Sequence, residues 1–269
     1  MATLKDIKGA NIQFLDADPV EYVGTWSSGG SLNTARAQLG GAGTQTSGLM
    51  FGGDTNPPSS GRESALNESY NGTSYTEQAD LNTGRRVTSG AGASSTAAIC
   101  VGGYTGTAYS GVTETWDGSS WTEVNDLNTG RANLATVGIT TAALTFGGSP
   151  PGYTADTEQW NGSTWTEKTD LNTARFSGMG FGSSSQAVGY VAGGSYPASP
   201  PYNVKTEFFN GSTWTEVGDL ANGRYHNKGG GTGASALTAG GYLASPAGGQ
   251  TTENSIWTVD QGNLTITVS

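Results

Sequence analysis

Cysteine, histidine and charge are all scarce in this chain of 269 residues. Cys100 is the one cysteine, so the chain can form neither an intrachain disulfide nor a cysteine-based zinc site. Charged residues make up 13% of the sequence, and the formal net charge is −10. The 12 lysines and arginines form no cluster. This argues against nucleic acid or an anionic membrane surface as a partner, because both are bound by neutralising phosphates.

Long apolar runs are missing as well. No stretch approaches the roughly 20 residues of a membrane span, and the N-terminal residues lack the apolar core of a signal peptide. We therefore expect no insertion into a membrane.

Glycine and aromatic residues, by contrast, are abundant. The 44 glycines would suggest disorder, but seven Trp, eleven Tyr and seven Phe argue for a packed interior. An all-β fold with many tight turns accounts for both observations.

Two sequence markers recur five times with the same period. The first is Leu-Asn-Thr-x-Arg or a close variant, and the second is a Gly-Gly pair that ends an apolar stretch. The arginines of the first marker are Arg36, Arg85, Arg131, Arg175 and Arg224. The glycine pairs begin at Gly52, Gly102, Gly147, Gly193 and Gly240. Both markers recur every 44 to 50 residues, so the chain contains five repeats.

Four of the repeats also carry a hairpin signal. "ETWDGSSWTE" (114–123) and "EQWNGSTWTE" (158–167) place two tryptophans around Asp-Gly or Asn-Gly, which tolerate positive φ. Each repeat therefore predicts four short antiparallel strands, two of them small and apolar and two bearing aromatic residues. Residues 24–269 are predicted to form a β-propeller with five blades of four antiparallel strands.

The pattern resembles the kelch repeat, with paired glycines after an apolar strand, then spaced aromatics, and a period near 50 residues. The resemblance covers residues 24–257 and implies a kelch-like propeller. Kelch propellers usually have more than five blades, and this chain departs from the family in that number.

Closing the ring requires a fourth strand for the fifth blade. Trp26 lies six residues before Leu32, as Trp121, Trp165 and Trp214 lie six residues before their own leucines. This register predicts that the segment around Trp26 completes the fifth blade and removes the open sheet edges. The alternative is the C-terminal "NLTITVS", which also alternates like a strand.

The predicted strand order places the variable loops on one face. The loops between strands two and three differ in length and are rich in Tyr, Pro, Ser and Gly, a composition common in recognition surfaces. We predict a binding surface there, the alternative being loops that only connect strands. The candidate binding residues are Tyr104, Tyr109, Tyr153, Tyr196, Tyr202, Lys205, Tyr242 and Arg62.

The five repeated arginines are predicted to be structural, because residues present in every repeat mostly hold neighbouring repeats together. We expect them to bond carbonyls or the preceding aspartates between blades. These aspartates are Asp80, Asp126, Asp170 and Asp219.

No catalytic constellation is evident in the sequence. His226, the one histidine, is expected to be packed or to face the central channel with Lys228. The copper site of galactose oxidase-like propellers needs two histidines, and sialidase-like propellers need three arginines outside the repeat motif. This chain has only Arg62 and Arg86 outside that motif. We predict no enzyme activity, no cofactor and no dedicated metal site, and leave open calcium held by loop carboxylates.

The repeats "WNGSTWTE" and "DLNTAR", together with the opening "MATLKDIKGANIQFLDADPV", are similar to kelch-type virion proteins of tailed bacteriophages. That resemblance implies a structural protein of the virion, displayed in multiple copies on a tail or adsorption fibre or on the capsid surface. Its expected partners are other virion proteins and a host-surface glycan. Residues 1–23 are predicted to be an extension that docks to the particle. The competing interpretation is an intracellular kelch-type adaptor for protein interactions, with no virion role.

Overall fold

The computed structural model describes residues 28–55, 63–149, 152–182, 188–196, 203–243, 250 and 254–258. Within these ranges the chain is all-β, and its sheets form the five blades of a β-propeller. The predicted fold class is thereby confirmed. The docking extension 1–23, the segment around Trp26 and the C-terminal "NLTITVS" lie outside the described residues.

The blades follow one another in chain order, and each begins with its innermost strand. Blade 1 contains β1 (Gly40–Thr44), β2 (Ser47–Phe51), β3 (Asn67–Tyr70) and β4 (Tyr75–Gln78). Blade 2 contains β5 (Ser89–Ser94), β6 (Ala97–Val101), β7 (Thr113–Trp116) and β8 (Trp121–Val124). Blade 3 contains β9 (Ala135–Ile139), β10 (Ala142–Phe146), β11 (Thr157–Trp160) and β12 (Trp165–Lys168). Blade 4 contains β13 (Met179–Gly182), β14 (Gly189–Ala192), β15 (Thr206–Phe209) and β16 (Trp214–Val217).

The fifth blade has three strands among the described residues. These are β18 (Lys228–Gly231), β19 (Ser235–Ala239) and β21 (Asn254–Thr258), hydrogen-bonded in that order. A short ribbon of β17 (Arg224–Tyr225) and β20 (Tyr242–Leu243) corresponds to the isolated bridges of the other repeats, such as that between Phe176 and Ser195.

The inner strands are rich in glycine because they crowd around the axis. A Cβ atom on Gly40 would lie 2.5 Å from the ring of Phe51, and one on Gly90 would lie 2.3 Å from the same ring. Phe51 is fully buried between the inner strands of blades 1 and 2. Side chains at these two glycines would displace it.

Tryptophans of the outer strands fill the spaces between blades. Trp165 of blade 3 packs in one apolar cluster with Ile99 and Val101 of blade 2. Trp214 of blade 4 packs in the same way with Phe146 of blade 3. Burying an apolar side chain of this kind stabilises a fold by about 1.5–3 kcal/mol. The blades therefore adhere through a repeated aromatic contact.

Each of the first four arginines binds a buried glutamate of strand three. Arg85 Nη2 donates to Glu114 Oε1 over 2.6 Å, and both side chains are completely buried. The second oxygen of Glu114 accepts the backbone N–H and the side-chain amide of Asn82, each at 2.8 Å. The same arrangement joins Arg36 to Glu68, Arg131 to Glu158 and Arg175 to Glu207. The Leu-Asn-Thr-x-Arg motif thus supplies the hydrogen-bond donors that bind one buried glutamate.

The fifth repeat departs from this arrangement. Ser255 holds the register position of the glutamate, since it pairs with Thr238 as Glu158 pairs with Thr145. Arg224 Nη2 donates to Ser255 Oγ over 3.2 Å.

The expected partners of the arginines need a correction. Carbonyls are bonded as predicted, for example Val112 O by Arg85 Nη1 at 2.7 Å. The carboxylate partner is the glutamate of strand three and not the preceding aspartate. Asp126 instead accepts the backbone N–H of Thr113 at 3.4 Å, because its side chain lies beside the start of strand three.

The Gly-Gly pair and the arginine are two halves of one joint. Gly147 and Gly148 have φ values of 64° and 113°, which favour glycine. The Gly148 N–H donates to the Arg175 carbonyl over 2.9 Å, and a Cβ on Gly147 would lie 2.6 Å from that oxygen. We call the segment that joins strand four of one blade to strand one of the next a link. Each link therefore attaches to the preceding blade through its backbone and to the following blade through its arginine side chain. This joint explains why both markers have one period.

Candidate functional site at the channel mouth

The two faces of the propeller carry different loops. The hairpin face, formed by the turns between strands three and four, is closed by side chains such as Asn161, whose Oδ1 accepts the backbone N–H groups of Ser163 and Thr164. The opposite face, here the loop face, carries the connections between strands two and three and the links that contain the arginines. Compact turns leave little room for recognition, so the loop face holds the candidate site.

A ring of five residues surrounds the mouth of the central channel on the loop face. Each follows its repeated arginine by two positions and has φ between 47° and 57°, a region rarely adopted by non-glycine residues. The ring consists of Gln38, Val87, Asn133, Ser177 and His226. Along the ring from Val87 onwards, the backbone N–H of each residue donates to the carbonyl of the ring residue in the preceding repeat. The series begins with Val87 donating to Gln38 over 2.8 Å and ends with His226 donating to Ser177 over 3.1 Å. The propeller thus fixes these five positions around one opening.

An open cavity of about 470 Å³ adjoins this ring. Two pairs of rings line it. The ring centroids of Tyr104 and Tyr109 lie 5.5 Å apart, and those of Phe176 and His226 lie 6.5 Å apart. Among the described residues, Tyr109 is one of two large apolar side chains that are exposed, at 43%. The cavity therefore presents aromatic faces to solvent.

Arg86 fixes one side of the cavity. Its Nε donates to Glu63 Oε1 over 3.1 Å, and its Nη1 donates to Gln38 Oε1 over 3.1 Å. The guanidinium carbon lies 5.2 Å from the centroid of Tyr104, a cation–π distance. Since Glu63 offsets its charge, Arg86 holds Tyr104 in place without making the cavity strongly cationic.

The aromatic surface continues around the mouth beyond the cavity. Tyr153 stacks on Phe176 with centroids 5.0 Å apart, and its hydroxyl lies 3.3 Å from Ser195 Oγ. Tyr225 stacks on Tyr242 at 5.2 Å. Both of these tyrosines also contact His226. We call the whole group the aromatic belt, and its members are Tyr104, Tyr109, Tyr153, Phe176, Tyr225, His226 and Tyr242.

His226 is exposed at the mouth, and its surroundings favour the neutral form of its imidazole. Partial desolvation lowers the pKa of its imidazole, and the positive charge of Lys228 lowers that pKa further. Lys228 lies in the channel, where enclosure by the blades lowers the pKa of its own ammonium group. A neutral imidazole both donates and accepts one hydrogen bond, so His226 can bind a hydroxyl group.

Four of the predicted binding residues meet in the aromatic belt: Tyr104, Tyr109, Tyr153 and Tyr242. Tyr196 is half-buried and is not among the residues that line the mouth cavity. Lys205 lies instead beside the outer strands, where its ammonium group pairs with Glu216 at 2.6 Å and this pairing raises its pKa. Arg62 and Tyr202 lie outside the described residues.

Sequence reasoning missed several members of the site. Arg86, Phe176 and Tyr225 each follow a repeated arginine directly, where the other two repeats have alanine. Gln38 and Asn133 are ring residues. The available signal was variation within an otherwise repeated motif, since positions that differ among repeats are free to serve a single site.

The described residues contain no group of three His, Cys, Asp or Glu side chains that would hold a metal ion. Cys100 is buried, and burial raises the pKa of its thiol, so it is unreactive packing. The described residues also include no helix long and apolar enough to cross a membrane.

Fold and site together define a β-propeller whose channel mouth is lined by aromatic residues. No protein-family model matches the chain, and no curated protein matches it either. A solved structure described as "Structure of YjhT" is similar, with a TM-score of 0.65 and 14% sequence identity over 85% of this chain and 83% of that chain. At this identity the likeness shows the propeller fold alone.

Proposed function

We propose that this chain is a non-enzymatic virion protein of a tailed bacteriophage, whose loop face binds a host-surface glycan or a neighbouring virion protein. The observation that carries the proposal is the aromatic belt, which gathers seven rings around one opening on one face. The virion assignment itself rests on the similarity of the kelch-like repeats to phage proteins.

The chemistry of the mouth suits a neutral saccharide. Aromatic faces such as those of Tyr109 and Phe176 can stack on the C–H face of a sugar ring. The side-chain amides of Gln38 and Asn133 and the neutral imidazole of His226 lie beside them and can exchange hydrogen bonds with hydroxyl groups. With the charge of Arg86 offset by Glu63, an uncharged ligand fits better than a polyanion.

Weak individual sites are sufficient for this role. A virion protein displayed in many copies binds a repetitive cell surface multivalently, and multivalency multiplies modest affinities. The rigid ring favours such binding because its backbone is already fixed before the ligand arrives.

The proposal is tested by removing two rings of the belt in the phage. The variant carries Tyr104→Ala and Phe176→Ala, and the matched control carries Tyr70→Ala and Tyr75→Ala. The control pair also forms an aromatic contact, at 4.7 Å, but lies at the end of the outer hairpin of blade 1. Because Tyr75 begins strand four, as the inter-blade tryptophans do, the melting temperatures of both variants are compared with that of the wild type. Incorporation is measured by mass spectrometry of purified particles, and recognition by adsorption to host cells and by binding to the host's purified surface polysaccharide.

We expect both variants to be incorporated and only the belt variant to lose adsorption and polysaccharide binding. Normal adsorption of the belt variant would refute the recognition role. Absence of the wild-type protein from particles, with recovery among host-cell proteins, would favour the intracellular adaptor. Turnover of a saccharide that disappears with His226→Ala would contradict the non-enzymatic assignment.

A further inference from the structure

A cavity of about 400 Å³ lies between the fourth and fifth blades. Its apolar lining comes from both blades and from the link between them. These residues are Met179, Phe181, Ala192, Leu220, Ala236 and Ile256. Ile256 is 61% exposed, although it belongs to a strand of the fifth blade. A cavity with an apolar lining therefore lies at this junction in the described part of the chain.

The corresponding space is filled at three other junctions. Trp121, Trp165 and Trp214 each begin strand four of their blade and pack against the preceding blade, with no more than 6% of each exposed. The apolar cluster between blades 4 and 5 has the same kinds of neighbours, including the link leucine Leu220, but its described members include no tryptophan.

A hydrogen bond to the preceding blade marks the position of two of these tryptophans, Trp165 and Trp214. The indole N–H of Trp121 has no partner, since strand three of blade 1 begins with Asn67. Trp165 Nε1 donates to Thr113 Oγ1 over 3.0 Å, and Trp214 Nε1 donates to Thr157 Oγ1 over 3.1 Å. Each threonine is the first residue of strand three in the preceding blade. In blade 4 that residue is Thr206, and it lines the cavity. At the junction between blades 4 and 5, Thr206 therefore holds the position from which Thr113 and Thr157 accept an indole N–H.

The first link of the chain indicates which tryptophan would donate its indole N–H to Thr206. Asn33 donates its backbone N–H to Glu68 Oε2 over 2.7 Å and its amide to the Tyr75 carbonyl over 3.4 Å. Asn172 makes the same two bonds, to Glu207 and to the Trp214 carbonyl. The first link thus occupies the regular position, and the residue six places before its leucine is Trp26.

The strand register excludes Trp257 as the strand-four tryptophan of the fifth blade. This residue pairs with Ala236 as Trp160 pairs with Ala143, so it holds the tryptophan position of strand three and not that of strand four. Trp26 is the remaining tryptophan of the sequence.

We propose that this cavity is the binding site for Trp26 of the same chain, with the indole N–H donating to Thr206 Oγ1. The N-terminal segment then supplies the fourth strand of the fifth blade, and the C-terminal segment does not. This inference concerns how the ring closes and is independent of the proposed function.

A double-mutant cycle on the full chain tests it. Trp26→Phe removes the N–H, and Thr206→Val removes the acceptor with little change in shape. Trp214→Phe with Thr157→Val is the positive control, because that bond is seen in the structure. Trp26→Phe with Thr157→Val is the negative control. Unfolding in urea is followed by circular dichroism at two protein concentrations.

We expect Trp26→Phe to raise the unfolding equilibrium constant about fivefold more in the wild-type background than in the Thr206→Val background, as for a typical hydrogen bond. The positive control should show a similar coupling and the negative control none. Equal effects of Trp26→Phe in both backgrounds, beside a positive control that couples, would overturn the proposal. Coupling that appears only at concentrations where the protein is dimeric would overturn it too, by assigning the cavity to Trp26 of a second copy.

Discussion

The buried ion pair of blade 2 allows a quantitative test of how the links hold the propeller together. Glu114 receives three hydrogen bonds, one from Arg85 and two from Asn82, and no part of its side chain is exposed. Glu114→Gln keeps the size of the side chain but removes its charge. The amide then presents an N–H₂ group to donors, and the buried guanidinium loses its counter-ion.

Breaking a buried ion pair by removing one partner costs about 3–5 kcal/mol. In a domain of this size each kcal/mol lowers the melting temperature by about 2–4 °C, so we expect a fall of about 6–20 °C. Urea unfolding followed by tryptophan fluorescence should show a lower midpoint with an unchanged slope, since the same surface is exposed on unfolding.

Glu123→Gln is the matched control for this experiment. Glu123 pairs directly with Glu114 across β7 and β8, but its side chain is exposed. Because surface substitutions of this kind change stability by no more than about 0.5 kcal/mol, the control should unfold like the wild type. A Glu114→Gln protein within about 1 kcal/mol of wild type, or a control that loses as much, would refute the stabilising role of the pair.

Two further predictions concern the Gly-Gly joint and the outer hairpins. Gly147→Ala should destabilise the fold by more than about 1 kcal/mol, because its φ is positive and the new Cβ would meet the Arg175 carbonyl at 2.6 Å. Gly230→Ala, where a Cβ meets nothing within 4 Å, is the control in the same urea assay, and equal losses would contradict the close-approach argument. Asp117→Asn should leave stability at pH 7 unchanged, since Asn161 accepts the same turn N–H groups in the next blade. Hydrogen bonds from Ser120 and Ser119 lower the Asp117 pKa to about 2, below its ordinary value of 3.8. Its contribution is therefore present above about pH 4 and is lost as the pH falls towards 2, and the variant should lack that part of the pH dependence in urea midpoints measured at pH 7 and pH 2.5. A variant that titrates like the wild type would show that the carboxylate is not the group responsible.

The sequence by itself determined the number of blades, the strands of each repeat and the face that carries the loops. These follow from local chemistry, because Asn-Gly fixes a hairpin and Gly-Gly fixes a backbone with positive φ wherever they occur. The tyrosines Tyr104, Tyr109, Tyr153 and Tyr242 were predicted as candidate binding residues because their loops have a composition typical of recognition surfaces, and the structure places them in the aromatic belt.

Only the tertiary structure decided which partners those residues have. Glu114 and Arg85 lie 29 positions apart, and their pairing depends on the packing of the link against strand three. The sequence pattern therefore favoured the nearer Asp80 as the partner of Arg85, and that prediction was wrong. Phe176, Tyr225 and Gln38 belong to three different repeats, and nothing local joins them. Backbone hydrogen bonds between neighbouring links, from Val87–Gln38 to His226–Ser177, bring them to one opening, and these bonds exist only in the assembled propeller.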